Sequence, residues 1–189
     1  DYQAIEAEGE AEVLAITASP LYAQDHTIYL GSAQGETANL QPRVVLWRST
    51  NGGADWKQLT TQVTDAHWVD IAMPRGVTKD AATQAVLATG PYCLRPLRRA
   101  KDVWISTKVD PNGANTLGLL ILGELDGDGV VYAATGNGIY ESIDAGRTWE
   151  RFSQGLSAES LISIAHAGSD GAGALYALSL GGLVWKCEL

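Results

Sequence analysis

The sequence predicts an all-β chain of repeated, antiparallel four-stranded sheets, and three observations carry that expectation. Short apolar runs recur throughout, bounded by Gly, Asn, Asp and Ser. A large aromatic residue returns at comparable places, Trp47, Trp104, Tyr140 and Trp185, spaced by 57, 36 and 45 residues. No segment shows the three-to-four-residue apolar spacing of a long helix. The composition agrees: 46% hydrophobic and 19% charged residues with 21 glycines suit many short strands and tight turns, and 189 residues suffice to bury a core.

In chain order, Val13 to Ser19 and Thr27 to Ser32 read as strands A and B of a first sheet. A polar insertion covers 33–42, Val44–Arg48 is strand C, and Trp56 opens strand D. The second round has strands at 67–72 and 85–90, a long cationic connection at 91–101, strand C at 103–106 and a degenerate strand D. The third spans 117–125, 130–135, 138–141 and 149–152, with a tight A-to-B turn at Asp126-Gly127-Asp128-Gly129. The fourth spans 161–165, 174–179 and 183–187. The whole, 1–189, is expected to be a single domain of four repeats, at 13–60, 67–116, 117–153 and 161–189 plus 1–6.

Ser142-Ile143-Asp144-Ala145-Gly146-Arg147-Thr148-Trp149 reads as a hairpin turn with its own internal acceptor. Asp144 folds back onto turn N–H groups, Gly146 supplies a positive φ, Ser142 and Thr148 cap, and Trp149 starts a strand. A weaker copy begins at Ser49, with Asn51, Gly53, Asp55 and Trp56 in corresponding places. The pattern S-x-D-x-G-x-T-W resembles the Asp box (BNR repeat) of sialidase-like β-propellers, and is similar in motif to photosystem-assembly and sortilin-type propellers. That resemblance implies a β-propeller with the boxes as structural turns on its rim; the four rounds counted along the chain make it four-bladed, whereas propellers of this kind usually have six or more blades.

Asp1-Tyr2-Gln3-Ala4-Ile5 matches Asp55-Trp56-Lys57-Gln58-Leu59 position for position. Residues 1–6 are therefore expected to complete the last blade by pairing with 183–189 and closing the ring; the alternative is half of a larger or dimeric propeller.

No catalytic constellation is present. The arginine-bearing segment of sialidases has only Gln41-Pro42-Arg43-Val44 as its nearest counterpart, in the wrong order. His26, His67 and His166 fall in different repeats without ligand spacing, so neither metal nor cofactor is expected. A net charge of −9 argues against nucleic acid as a partner. No stretch approaches the roughly 20 apolar residues of a membrane span. Cys93 and Cys187 are expected as free, buried thiols.

If the repeats form a propeller, the insertions 33–42 and 91–101 lie together on one face. Tyr92, Arg95, Arg98, Arg99 and Lys101 then make an aromatic-guanidinium recognition loop on an acidic molecule, with Trp68 as a further exposed aromatic. The plainer alternative is a solvated loop whose arginines balance acids such as Glu36. The expected function is a non-enzymatic binding or scaffold module for a protein partner, a neighbouring domain or a second copy. A glycan-binding or glycoside-hydrolase-related propeller is the alternative. The resemblance points to an extracytoplasmic or secreted location.

Overall fold

In the computed structural model, residues 12–74, 85–97, 103–123, 125, 129–156, 160–169 and 172–189 are described. They form four antiparallel sheets, the blades of a β-propeller fold, each meandering in sequence order. Blade one holds β1 (Glu12–Ala18), β2 (Ile28–Gln34), β3 (Arg43–Ser49) and β4 (Lys57–Val63). Blade two holds β5 (Val69–Ala72), β6 (Val86–Thr89), β7 (Tyr92–Pro96) and β8 (Trp104–Lys108). Blade three holds β9 (Thr116–Leu122), β10 (Val130–Thr135), β11 (Gly138–Ser142) and the two-residue β12 (Glu150–Arg151). Blade four has three strands among the described residues, β13 (Leu161–Ser169), β14 (Ala172–Ser179) and β15 (Val184–Glu188). One short helix, α1 (Tyr22–Asp25), lies in the first A-to-B connection, where the sequence reading has only a loop.

Alternation along the strands explains the stacking, because both faces of an inner blade must be apolar. Leu87 faces blade one, whereas its neighbours Val86 and Ala88 face blade three. Val131 and Ala133 face blade two, and Tyr132 and Ala134 face blade four. Tyr29, Val44 and Leu46 meet Val69 and Ile71 in the first interblade core. The approach there is closest at Gly31, where an added Cβ would stand 2.5 Å from Val69 Cγ1.

Blade two corrects the sequence reading. Its B-to-C link is the tight turn Gly90-Pro91, with Gly90 at φ 53°, and not a long connection over 91–101. Tyr92–Pro96 is strand C, pairing with β6, and Trp104 opens a five-residue strand D instead of sitting in strand C. The positions equivalent across blades are Trp47, Leu94, Tyr140 and Trp185, opposite Leu30, Leu87, Ala133 and Ala177. Their spacings are 47, 46 and 45, a far more even repeat than the aromatic residues alone suggest.

The four sheets do not close into a ring among the described residues. Val13 and Ile16, on the outer face of blade one, are 50% and 63% exposed, and Val184, on the outer face of blade four, is 67% exposed. Residues 1–6, expected to close the ring, lie outside the described residues, as does the Asp126-Gly127-Asp128 part of the third A-to-B turn. No helix among the described residues is long and apolar enough to cross a membrane.

Candidate interaction site at the rim of blade four

The 142–149 turn is built around one carboxylate. Asp144 Oδ1 accepts from Ser142 Oγ at 2.7 Å, from the Arg147 N–H at 2.9 Å and from the Thr148 N–H at 2.9 Å. Its Oδ2 accepts from Thr148 Oγ1 at 2.7 Å, and Ser142 Oγ in turn accepts from the Gly146 N–H at 2.7 Å. Burial pushes this carboxyl up, but the Thr148, Ser142 and Arg147 donors outweigh it and hold the pKa down to about 2. Gly146 has φ 84°, and Ala145 also takes a positive φ, of 60°. The 49–56 turn repeats the scheme with an amide in the central place and the carboxylate at Asp55. Asn51 Oδ1 accepts from Ser49 Oγ and the Asp55 N–H, Asn51 Nδ2 donates to Asp55, and the Gly53 N–H donates to Ser49 Oγ.

Of the recognition loop expected at 91–101, Tyr92–Pro96 is strand β7 and not loop. Connections 35–42 and Gly90-Pro91 lie at the B-to-C end of their sheets, so the described part of the second stretch adds only a tight turn to that face. Tyr92 is a strand residue partly packed against the core between blades one and two. Arg95 is only 7% exposed, its Cδ lying against Gly146 under the 142–149 turn of blade three. Burial lowers its pKa, with nearby Arg147 acting in the same direction. Trp68 is 48% exposed as expected, with its Nε1 donating to the Leu117 carbonyl at 2.7 Å. Arg98, Arg99 and Lys101 lie outside the described residues. Of the two thiols, both free, Cys93 is buried but Cys187 is exposed, contrary to expectation.

Two tryptophans at the start of strand D show what an interblade rim position requires. Trp104 packs on the core between blades one and two, and Trp149 on that between blades two and three. The corresponding place between blades three and four is an open groove of about 570 Å³. Ile139, Phe152 and Leu156 of blade three form one wall, and Leu175, Trp185 and Cys187 the other, with Arg151 and Lys186 at its border. Trp185 Nε1 is buried without an acceptor among the described residues.

Beside the groove runs the outer edge of β15, to which no described strand pairs. Leu189 N–H donates to the Gly173 carbonyl and Ser179 N–H to that of Leu183, so odd-numbered residues face β14. The alternation leaves the backbone N–H and C=O groups of Val184, Lys186 and Glu188 on the free edge. An extended segment added here would bond to that edge and place alternate side chains in the groove.

One residue was missed entirely by sequence reasoning. Asp110 is fully buried, and its carboxylate accepts from Asn112 N–H at 2.9 Å, Ala114 N–H at 3.2 Å, Asn137 Nδ2 at 2.6 Å and Tyr140 Oη at 2.9 Å. Burial raises its pKa, yet these donors overcome that and lower it, which keeps a charged hub between blades two and three. The Asp-Pro-Asn-Gly turn was the available signal, since Asp before such a turn accepts local N–H groups.

Comparison with known proteins supports the architecture. No family model matches the chain, and no curated protein matches it. Among solved structures, a GH74 enzyme from Niastella koreensis is similar over 92% of this chain with a TM-score of 0.56 and 14% sequence identity. The chain spans 30% of that enzyme's length, and the likeness is one of β-propeller fold.

Proposed function

We propose that this chain is a non-enzymatic β-propeller binding module that takes an extended protein segment at the rim of blade four. The observation that carries the reading is the coincidence of a strand edge that has no partner among the described residues with an apolar groove beside it. Main-chain bonds to Val184, Lys186 and Glu188 would give affinity, and the groove lined by Trp185 and Phe152 would select one large side chain. The Asp-box likeness fits such a module, because a turn like 142–149 spends its carboxylate on its own backbone and serves the fold. It also suggests an extracytoplasmic setting.

Selection from a displayed library of extended hexapeptides tests this reading. Selected peptides should bind the native chain and lose at least tenfold in affinity for Lys186→Pro, which removes one outward N–H while sparing the β14 ladder. Equal binding to both proteins would refute it. A glycan-binding module is the second reading, favoured by the exposed indole of Trp68 and by the GH74 enzyme among the structural neighbours. A saccharide bound in a Trp68-dependent manner, with no peptide bound at the rim, would favour that reading instead.

A further inference from the structure

We propose that blades two and three together hold a small oxyanion, of carboxylate or phosphate type, where Arg95 and the indole N–H of Trp149 meet beside Arg147. This site is separate from the blade-four groove and does not rest on the strand-binding reading. Arg95 carries the first observation. It stands on β7, and its side chain is more than nine-tenths buried against blade three. Its Nε–H is enclosed and has no acceptor among the described residues, and no described carboxylate pairs with its guanidinium. Arginine keeps its proton at any ordinary pH, so a head group withdrawn from water without a counter-charge calls for an anion.

Trp149 supplies the second observation. Its Nε1–H is likewise buried without an acceptor among the described residues. Gly146 marks the place where the two donors converge. A Cβ added there would stand 3.5 Å from Arg95 Cδ and 3.6 Å from Trp149 Cζ2, and Cζ2 is two bonds from the indole nitrogen. Acceptors close by are already engaged. The Gly146 carbonyl takes Thr107 Oγ1 at 2.9 Å, and the Asp144 carboxylate takes Ser142 Oγ, Thr148 Oγ1 and two N–H groups of its own turn.

Charge decides between a water and an anion. Burial first, and then the neighbouring Arg147, lower the pKa of Arg95, while Asp144 opposes them without prevailing. Arg147 Nη1 donates to the Asp144 carbonyl at 3.2 Å, which leaves the rest of its fork open. A water accepting from Arg95 and Trp149 would leave two guanidiniums facing each other, whereas an oxyanion meets the donors and the charge together. Arg95 belongs to blade two, and Trp149 and Arg147 to blade three, so the bound ion would also tie the two blades to each other.

The test is a nitrogen-15 NMR titration of the native chain with inorganic phosphate and, separately, with acetate, chloride holding the ionic strength constant. Six tryptophans give six indole cross-peaks, and Trp149→Phe identifies the one that matters. The Trp149 indole N–H and the Arg95 Nε–H should shift together and saturate with one midpoint. Arg147→Ala should weaken binding about tenfold, the scale of one charged hydrogen bond. Arg95→Met, which keeps a stem of similar length and removes the fork, should abolish the shift at Trp149. Tighter binding of phosphate would assign a phosphate ligand, and tighter binding of acetate a carboxylate. No saturable shift at either N–H, or the same shift with chloride alone, would overturn the inference. Should Arg95→Met fail to fold, the native chain provides a second measurement, because an ion bound only by the folded state raises Tm. A native Tm indifferent to both anions at constant ionic strength would overturn the inference as well.

Discussion

Replacing Asp144 by Asn isolates the charge in the 142–149 turn while keeping one acceptor oxygen. The carboxylate accepts from Ser142 Oγ, two backbone N–H groups and Thr148 Oγ1, and its pKa is held down to about 2. Against an unfolded value of roughly 3.9, the ceiling of that shift is about 2.6 kcal/mol. Asp144 is partly exposed, so water screens the charge and about 1–2 kcal/mol is the expected loss. The depressed pKa fixes the sign. The contribution is complete above pH ~4, where the unfolded carboxyl is ionised, and is lost as pH falls through the folded value near 2. Urea unfolding at pH 7 should show Asp144→Asn destabilised by about 1–2 kcal/mol. Between pH 5 and 2 the native protein should lose stability more steeply than the variant. The 49–56 turn offers a rescue, because Asn51 donates to Asp55 four residues on. Asp144→Asn with Thr148→Asp should recover most of the loss. An Asn variant as stable as the native chain with an unchanged acid profile would refute the assignment.

The other predictions concern single sites. Asp110→Ala strands several buried donors, including Tyr140 Oη and Asn137 Nδ2, and should cost about 2–4 kcal/mol in urea unfolding. Gly31→Ala drives a methyl into Val69 and should cost about 1–3 kcal/mol, read as a lowered Tm, with Val69→Ala in the same chain restoring part of it. Cys93 is buried and its thiol is pushed up to about 12, while Cys187 is exposed. Titration with a thiol reagent at pH 8 should therefore find one reactive cysteine in the folded chain and two after denaturation.

Blades one, three and four were legible because their strands alternate cleanly and their turns carry Gly, Asn and Asp at the expected places. Blade two was not. Its strand C, Tyr92-Cys93-Leu94-Arg95-Pro96, carries an arginine and a proline that disguise it as a loop. Arg95 is tolerated because its stem packs on the face of Gly146 in the neighbouring blade, a tertiary contact that no local pattern announces. Trp104 misled in the opposite way. The turn before it lacks the Ser-x-Asp-x-Gly signature, so its role as opener of strand D was hidden and it read as a strand-C residue. Tyr92 and Arg95, expected in a loop, are strand residues for that reason. The groove at blade four was unreadable for a different reason: it is defined by the absence of a partner for β15 among the described residues, and by two tryptophans elsewhere that occupy the equivalent places.

Amide hydrogen exchange along β15 addresses the role of this rim most directly. If it is a strand-binding surface, the outward amides of Val184, Lys186 and Glu188 should exchange quickly in the chain alone and slowly with a selected hexapeptide bound. The inward amides of Trp185 and Cys187 should be protected in both states. Outward amides that exchange as freely with the hexapeptide present as without it would contradict binding at this edge.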